Sequence, residues 1–312
     1  MADKVKILVI CGPTASGKTS SSIRLAKQLN GEVVSADSMQ IYAGLSVGTA
    51  RPDTSEMDGV VHHLMGFLEP EQTFSVADYV ELASNTIQQI AERGHVPILV
   101  GGTGLYISSL LDGVRFSPAK PLSQERMLLQ KELDEKGIIP LYEELKSIDP
   151  QYAATLHPNN HVRVLRALEL YRQTGKTMTE QRNESLPKEK PYNACIVCLC
   201  PKDRQILYER IEMRVDQMME MGLLEEAKKV YLNRESYHTV AQAIGYKEFF
   251  PYFEGKMALS DCVQSLKQAT RNYAKRQLTW FRRMPDVLWL DPQETVESIV
   301  LEYWKSKDFE KE

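Results

Sequence analysis

Apolar and polar positions follow one another along this chain in two rhythms. Residues 6–11, 32–36, 96–100, 193–200 and 287–290 are short, mostly apolar runs with the look of buried strands, whereas residues 19–29 place Ile23, Leu25, Ala26 and Leu29 at helical spacing. Ser75-Val76-Ala77-Asp78 has the form of a capping box with Asp in its final place and predicts a helix to about Arg93. A helix over residues 208–231, a basic helical stretch from Lys267 to Arg283 and a closing helix towards Glu312 complete the second half. Strands alternating with helices predict an α/β fold, a mostly parallel sheet flanked by helices. Around Arg115 the pattern changes. Residues 118–190 hold helical periodicity without strands, broken by Pro121, Pro140, Pro150, Pro158 and Pro187. This predicts an inserted all-helical domain over 116–190, with 1–115 and 191–312 as the two parts of the core.

Composition narrows the classes. The 312 residues are 43% apolar and 26% charged, as in ordinary globular proteins. The net charge of −4 rules out a global basic field, so any footprint for nucleic acid must be local. The beginning, Met1-Ala2-Asp3-Lys4, leads into the first strand without a signal-peptide segment, and no apolar run approaches a membrane span. A cytoplasmic, reducing setting with no membrane partner is expected. The cysteines number five, and Cys195, Cys198 and Cys200 crowd one apolar run; without a second ligand pair, they read as small buried side chains rather than a zinc site.

The chemistry begins at Gly12-Pro13-Thr14-Ala15-Ser16-Gly17-Lys18-Thr19, a complete match to the phosphate loop, between a predicted strand and a predicted helix. Gly12 and Gly17 let the backbone turn its N–H groups onto phosphate oxygens, and the helix that follows points its positive end there. Lys18 supplies a point charge, and the Thr19 hydroxyl is placed to hold magnesium. Asp37 ends the second strand; if that strand is parallel to the first, Asp37 reaches the same sheet edge, as an acid or base or as a helix cap. Gly101-Gly102-Thr103-Gly104 ends another strand without the acidic residue that an ATPase would place there, and allows either a close approach or a tight turn. The adjacent His62 and His63 would point to opposite sides of a strand and read as loop or core.

A helix opening near His157 carries Arg163, Arg166 and Arg172, a face for phosphates or for solvent. Arg214 could reach the phosphate loop or pair with a carboxylate. Between Lys267 and Arg283 lie six cations and no acid, interleaved with Tyr273, Trp280 and Phe281, with Lys267, Arg271 and Lys275 spaced to share one helix face. The residues thus describe a chain that holds a polyphosphate and a polynucleotide. They leave open a nucleotide kinase, an NTP-driven nucleic-acid binder, and a transferase whose substrate carries a diphosphate.

Five motifs in unbroken order carry a resemblance: the phosphate loop, Ser35-Ala36-Asp37-Ser38-Met39-Gln40-Ile41-Tyr42, Gly101-Gly102-Thr103-Gly104-Leu105-Tyr106, His157-Pro158-Asn159-Asn160, and Lys275-Arg276-Gln277-Leu278-Thr279-Trp280-Phe281-Arg282. Together they resemble the bacterial tRNA dimethylallyltransferase family, from the first strand to about Arg283. The resemblance implies a P-loop NTPase-like core and transfer of a dimethylallyl group from dimethylallyl diphosphate to the exocyclic amine of the adenosine 3′ of the anticodon. It implies that Gly12 to Thr19 hold the diphosphate, with magnesium on Thr19, and that Asp37 acts as the base, Thr14 orients the amine and Arg214 steadies the leaving group. It further implies tRNA contacts at Asp37, Ser38, Met39, Gln40, Thr103, Arg126, His161, Val162, Arg163, Val164, Leu165, Lys275, Arg276, Gln277 and Arg282. Eukaryotic relatives carry a C-terminal zinc finger; here no cysteine follows Cys262, and no zinc is expected. A working monomer is expected. The rivals are an enzyme that prenylates free AMP or ADP and a phosphoryl-transferring P-loop kinase.

Overall fold

The run from Val5 to Cys11 forms the first strand, and it is fully buried from Ile7 onward, as a central strand covered on both faces must be. The computed structural model describes residues 4–116 and 124–309. Its strands are β1 (Val5–Cys11), β2 (Gly31–Ser35), β3 (His62–His63), β4 (Val96–Gly101), β5 (Tyr192–Leu199) and β6 (Val287–Leu290). They form one sheet in the order β3-β2-β4-β1-β5-β6, and every described pair is parallel. Parallel neighbours need crossovers. Helices α1 (Lys18–Leu29), α2 (Val76–Glu92) and α3 (Gly104–Leu111) lie between the early strands, and α2 opens on the expected capping box between Ser75 and Asp78.

Strand alternation sends Ile7, Val9, Val34, Leu99 and Cys198 to one face, against Tyr79, Ile87 and Ile107 of α2 and α3. Leu8, Ile10, Val33, Ile98 and Cys195 go to the other, against Leu25 and Ala26 of α1. Cys195 and Cys198 are therefore buried on opposite sides of the sheet. Cys200, expected to be buried with them, lies past the strand end and is only half-buried.

Residues 112–189 form a compact unit of their own, separate from the unit made by residues 1–111 and 190–312. It contains α4 (Gln124–Lys136), α5 (Ile138–Ile148), α6 (Pro150–Ala153), α7 (His161–Thr174) and α8 (Met178–Ser185). Leu129, Leu141, Leu145, Val164, Leu165 and Leu168 make its core. Pro150 sits in the first turn of α6, where its missing N–H is harmless. Pro118 and Pro121, expected among its breakers, lie outside the described residues.

The sheet unit continues with α9 (Arg204–Glu220), α10 (Leu223–Leu232), α11 (Phe250–Phe253), α12 (Leu259–Phe281) and α13 (Val296–Phe309). The single helix expected over 208–231 is two, because Gly222 takes a left-handed conformation with φ 94° between α9 and α10. Helices α9 to α12, with residues 237–249, enclose a second core around Tyr42, Leu45, Tyr246, Phe249 and Leu266, whereas α13 packs Val296 and Val300 on the α1 face of the sheet. Among the described residues, no helix is long and apolar enough to cross a membrane.

Candidate active site

The carboxyl ends of the parallel strands open into a cavity of about 950 Å³. The phosphate loop follows β1 there, and its turn is made by Gly12 (φ 144°), Ala15 (φ 61°) and Gly17 (φ 84°). Gly12 has no substitute: a Cβ would stand 2.3 Å from the Leu199 carbonyl oxygen at the end of β5. Helix α1 begins at Lys18 on an N-cap, Gly17, that offers no side-chain acceptor, and its first turn holds no acid. Its leading N–H groups are thus left to a ligand.

Strand β2 delivers Asp37 to the same edge. However, β4 lies between β2 and β1, so the Gly101-Gly102-Thr103 turn separates Asp37 from the phosphate loop. What comes close to those glycines is the chain itself. A Cβ on Gly101 would fall 2.1 Å from the Ala36 carbonyl oxygen, and one on Gly102 would fall 2.1 Å from Gln277 Nε2. Thr103 Oγ1 accepts the Ser38 N–H at 3.0 Å, so it shapes the turn after Asp37. Asp37 uses one carboxylate oxygen, Oδ1, to accept the Met39 N–H at 2.9 Å. Asp37 thus caps its own turn with one oxygen and lines the cavity.

Two cations share this cavity. Lys18 Nζ donates to the Pro13 carbonyl at 2.6 Å, and burial, reinforced by nearby Arg214 and opposed by Asp37, lowers its ammonium from 10.5 to about 8. Arg214, on α9, is lowered by its own burial against the pull of Asp37 and Glu56. Among the described residues no carboxylate lies within ion-pairing distance of either cation, so the Arg214 pairing left open by the sequence does not form. Ser16 Oγ is buried without any hydrogen-bond partner. Two desolvated cations, an orphan hydroxyl and an uncapped helix start together describe a site for an anion with several oxygens.

Helix α12 closes one side. Gln277, expected to contact RNA, is buried and spends its amide on the protein: Oε1 accepts the Thr14 N–H and Nε2 donates to the Gly102 carbonyl, each at 2.9 Å. Tyr273, one turn back, and Arg276, the residue just before, line the cavity, and burial beside Asp37 pushes the Tyr273 phenol well up. The basic run is shorter than the sequence suggested. Lys267 pairs with Asp216 at 2.7 Å and Arg271 with Glu212, both acids on α9, whereas Lys275, Arg276, Arg282 and Arg283 are exposed. In the helical unit His161, Val162 and Arg163 are exposed at the start of α7, but Val164 and Leu165 are core residues, because the helix turns them inward. Arg126 lies 4.0 Å from Glu169, Arg166 bonds the same acid, and Arg172 is held by Glu132 and Glu144.

Two parts of the wall are not among the site residues that the sequence points to. Tyr273 stands three and four residues before Arg276 and Gln277, so helical spacing alone puts it on their face. The segment around Gln242 to Lys247 carries no periodic signal and reaches the cavity only through tertiary packing.

The comparisons agree with this geometry. A family model described as IPP transferase matches residues 40–284. The tRNA dimethylallyltransferase of Bacillus subtilis is 48% identical over 288 residues, covering 92% of this chain and 91% of that protein; the one of Halalkalibacterium halodurans is 46% identical over 288 residues with the same coverage. Among solved structures, a full-length tRNA isopentenylpyrophosphate transferase from Bacillus halodurans superposes with a TM-score of 0.73 at 42% identity, covering 98% of this chain and 99% of that one. A eukaryotic dimethylallyltransferase acting on tRNA gives 0.79 at 32% identity, covering 98% and 77%. This chain, whose P-loop NTPase-like sheet opens at its carboxyl edge into that cavity, belongs to the IPP transferase family of tRNA dimethylallyltransferases.

Proposed function

We propose that this chain transfers the dimethylallyl group of dimethylallyl diphosphate to the N6 amine of the adenosine 3′ of the anticodon in tRNA. The observation that carries the reading is the pair of half-buried cations, Lys18 and Arg214, that share one cavity with no carboxylate among the described residues bound to either. A diphosphate supplies the missing charge and meets Ser16 Oγ and the first N–H groups of α1. A nucleotide kinase would use the same cradle. The strand-end Gly101-Gly102-Thr103, where such enzymes place an acid, and the family relationship favour prenyl transfer.

In the reaction the N6 lone pair attacks C1 of the donor, the C1–O bond breaks, and its electron pair leaves with the diphosphate. Lys18 and Arg214 stabilise the charge that grows there. The amine gives up one proton, and Asp37 takes it on Oδ2, the oxygen not committed to the Met39 N–H. An adenine amine is a weak nucleophile, so holding it against C1 supplies much of the acceleration. Thr14 lines the cavity beside the loop and orients the amine. The Thr19 hydroxyl, which makes no hydrogen bond of its own among the described residues, would hold a magnesium ion, and such an ion would add positive charge at the leaving group. No cluster of three or more His, Cys, Asp or Glu among the described residues could hold a metal alone.

A base stacked in the anticodon loop must be extruded to reach this depth. Lys275, Arg276 and Arg282 on α12, and Arg163 with His161 in the helical unit, are the groups that would grip RNA. The proposed working unit is a monomer. The test is mass analysis of tRNA nucleosides after incubation with dimethylallyl diphosphate and magnesium, alongside AMP and ATP controls. Prenylated adenosine in tRNA supports the reading; prenylated AMP, or ATP consumption without a prenylated product, refutes it.

A further inference from the structure

The acidic turn that opens α10 is in direct contact with the loop at residues 46–48. Glu226 accepts three consecutive backbone N–H groups: Ser46 and Val47 on Oε2 at 2.8 and 3.1 Å, and Gly48 on Oε1 at 2.8 Å. A fourth donor, the buried Tyr246 hydroxyl, reaches Oε1 at 2.9 Å. One carboxylate thus holds residues 46–48, and the turn continues to residue 50 through the Ala50 N–H on the Val47 carbonyl at 3.0 Å. Gly48 has to be glycine, since a Cβ there would stand 2.6 Å from the Tyr246 ring.

The loop is part of the active site. Gly48, Thr49 and Ala50 line the cavity. The Thr49 and Ala50 carbonyls accept both ends of one contact, from Gln40 Nε2 at 3.3 and 3.1 Å, just beyond Asp37 in sequence. Ala50, held at φ 49°, also turns its carbonyl towards Arg214 Nη2 at 3.5 Å, the only hydrogen bond that this guanidinium makes among the described residues. A buried cation without a carboxylate partner keeps its direction only if its one acceptor is fixed.

We propose that Glu226 is a positioning residue: by clamping residues 46–48 with Tyr246 it fixes the Ala50 carbonyl and so aims Arg214 at the diphosphate. The proposal rests on the donor-site reading above, and binding of inorganic diphosphate with magnesium separates the two. Calorimetry on the full-length chain compares wild type, Glu226→Gln, Arg214→Ala and the double variant, with thermal unfolding to confirm that each is folded. Glutamine keeps one acceptor but turns an N–H₂ towards loop N–H groups, so Glu226→Gln is expected to weaken diphosphate binding about 3- to 10-fold. In the Arg214→Ala background the same change is expected to cost less than about twofold, because the group it aims is gone. A merely structural role would cost the same factor in both backgrounds and would overturn the proposal, as would unaltered binding by Glu226→Gln. Failure of the wild-type protein to bind diphosphate would overturn the donor-site reading and this inference with it. If Glu226→Gln does not fold, Tyr246→Phe, which removes one hydroxyl from the clamp, is expected to show the same pattern at about twofold.

Discussion

Replacing Lys18 with methionine is expected to make the free protein more stable while removing its hold on diphosphate. Lysine in an unfolded chain keeps its proton to about 10.5, whereas burial beside Arg214 brings Lys18 to about 8 in the fold. Between these values the unfolded state binds more protons, so wild-type stability rises with pH; below about 8 the folded state carries the whole penalty. The gap, 10.5 minus 8, corresponds to about 3 kcal/mol. Partial solvent access to the side chain and the lost bond to the Pro13 carbonyl reduce it, leaving a net gain of about 1–2 kcal/mol for the variant at pH 7. Thermal unfolding read by circular dichroism would show this as a rise of about 2–6 °C in the midpoint at pH 7. The advantage shrinks from pH 8 upward and vanishes near 10.5. Added diphosphate is expected to raise the midpoint of the wild type but not of the variant. A Lys18→Met protein that melts at or below the wild-type midpoint at pH 7 would refute the argument that this ammonium is held at a cost for an absent anion.

Asp37→Ala is expected to lower kcat at least about 10³-fold while calorimetric binding of diphosphate survives; a near-normal rate would remove Asp37 as the base. Neutralising Lys275, Arg276 and Arg282 together is expected to weaken tRNA binding and reduce its salt slope by about two to three, and an unchanged slope would place the RNA elsewhere. Gln277→Ala leaves the Thr14 N–H and the Gly102 carbonyl without partners and is expected to cost about 2–4 kcal/mol in denaturant unfolding. A loss under about 0.5 kcal/mol would mean that water replaces the amide.

Local signals were read well from the chain, and pairings between distant segments were not. The phosphate loop needs only its own eight residues and the strand and helix beside it, so motif and context coincide at β1 and α1. Asp37 was placed at the correct edge because parallel strands present their carboxyl ends together, but the insertion of β4 between β2 and β1 depends on which strands pair, and no local pattern states it. The six-cation run was over-read for a similar reason. Glu212 and Asp216 are four apart on α9, matching Lys267 and Arg271 four apart on α12, and that complementarity appears only once the two helices are known to pack. Val164 and Leu165 could have been assigned inward from helical spacing, since Leu168 continues their stripe. The glycines at 101 and 102 were expected to admit a neighbour, but its identity, Ala36 and Gln277, is a tertiary fact.

Gln277 joins two jobs that could have been kept apart. Its amide ties the helix bearing the exposed cations directly to the backbone of the phosphate loop and to the turn behind Asp37. A tug on that helix by a polyanion is therefore felt at Thr14 and Gly102 with no flexible joint between them. In the proposed reaction, a nucleic acid seated badly on α12 would also disturb the donor pocket through this one amide, so selectivity would draw on that link as well as on contacts to bases.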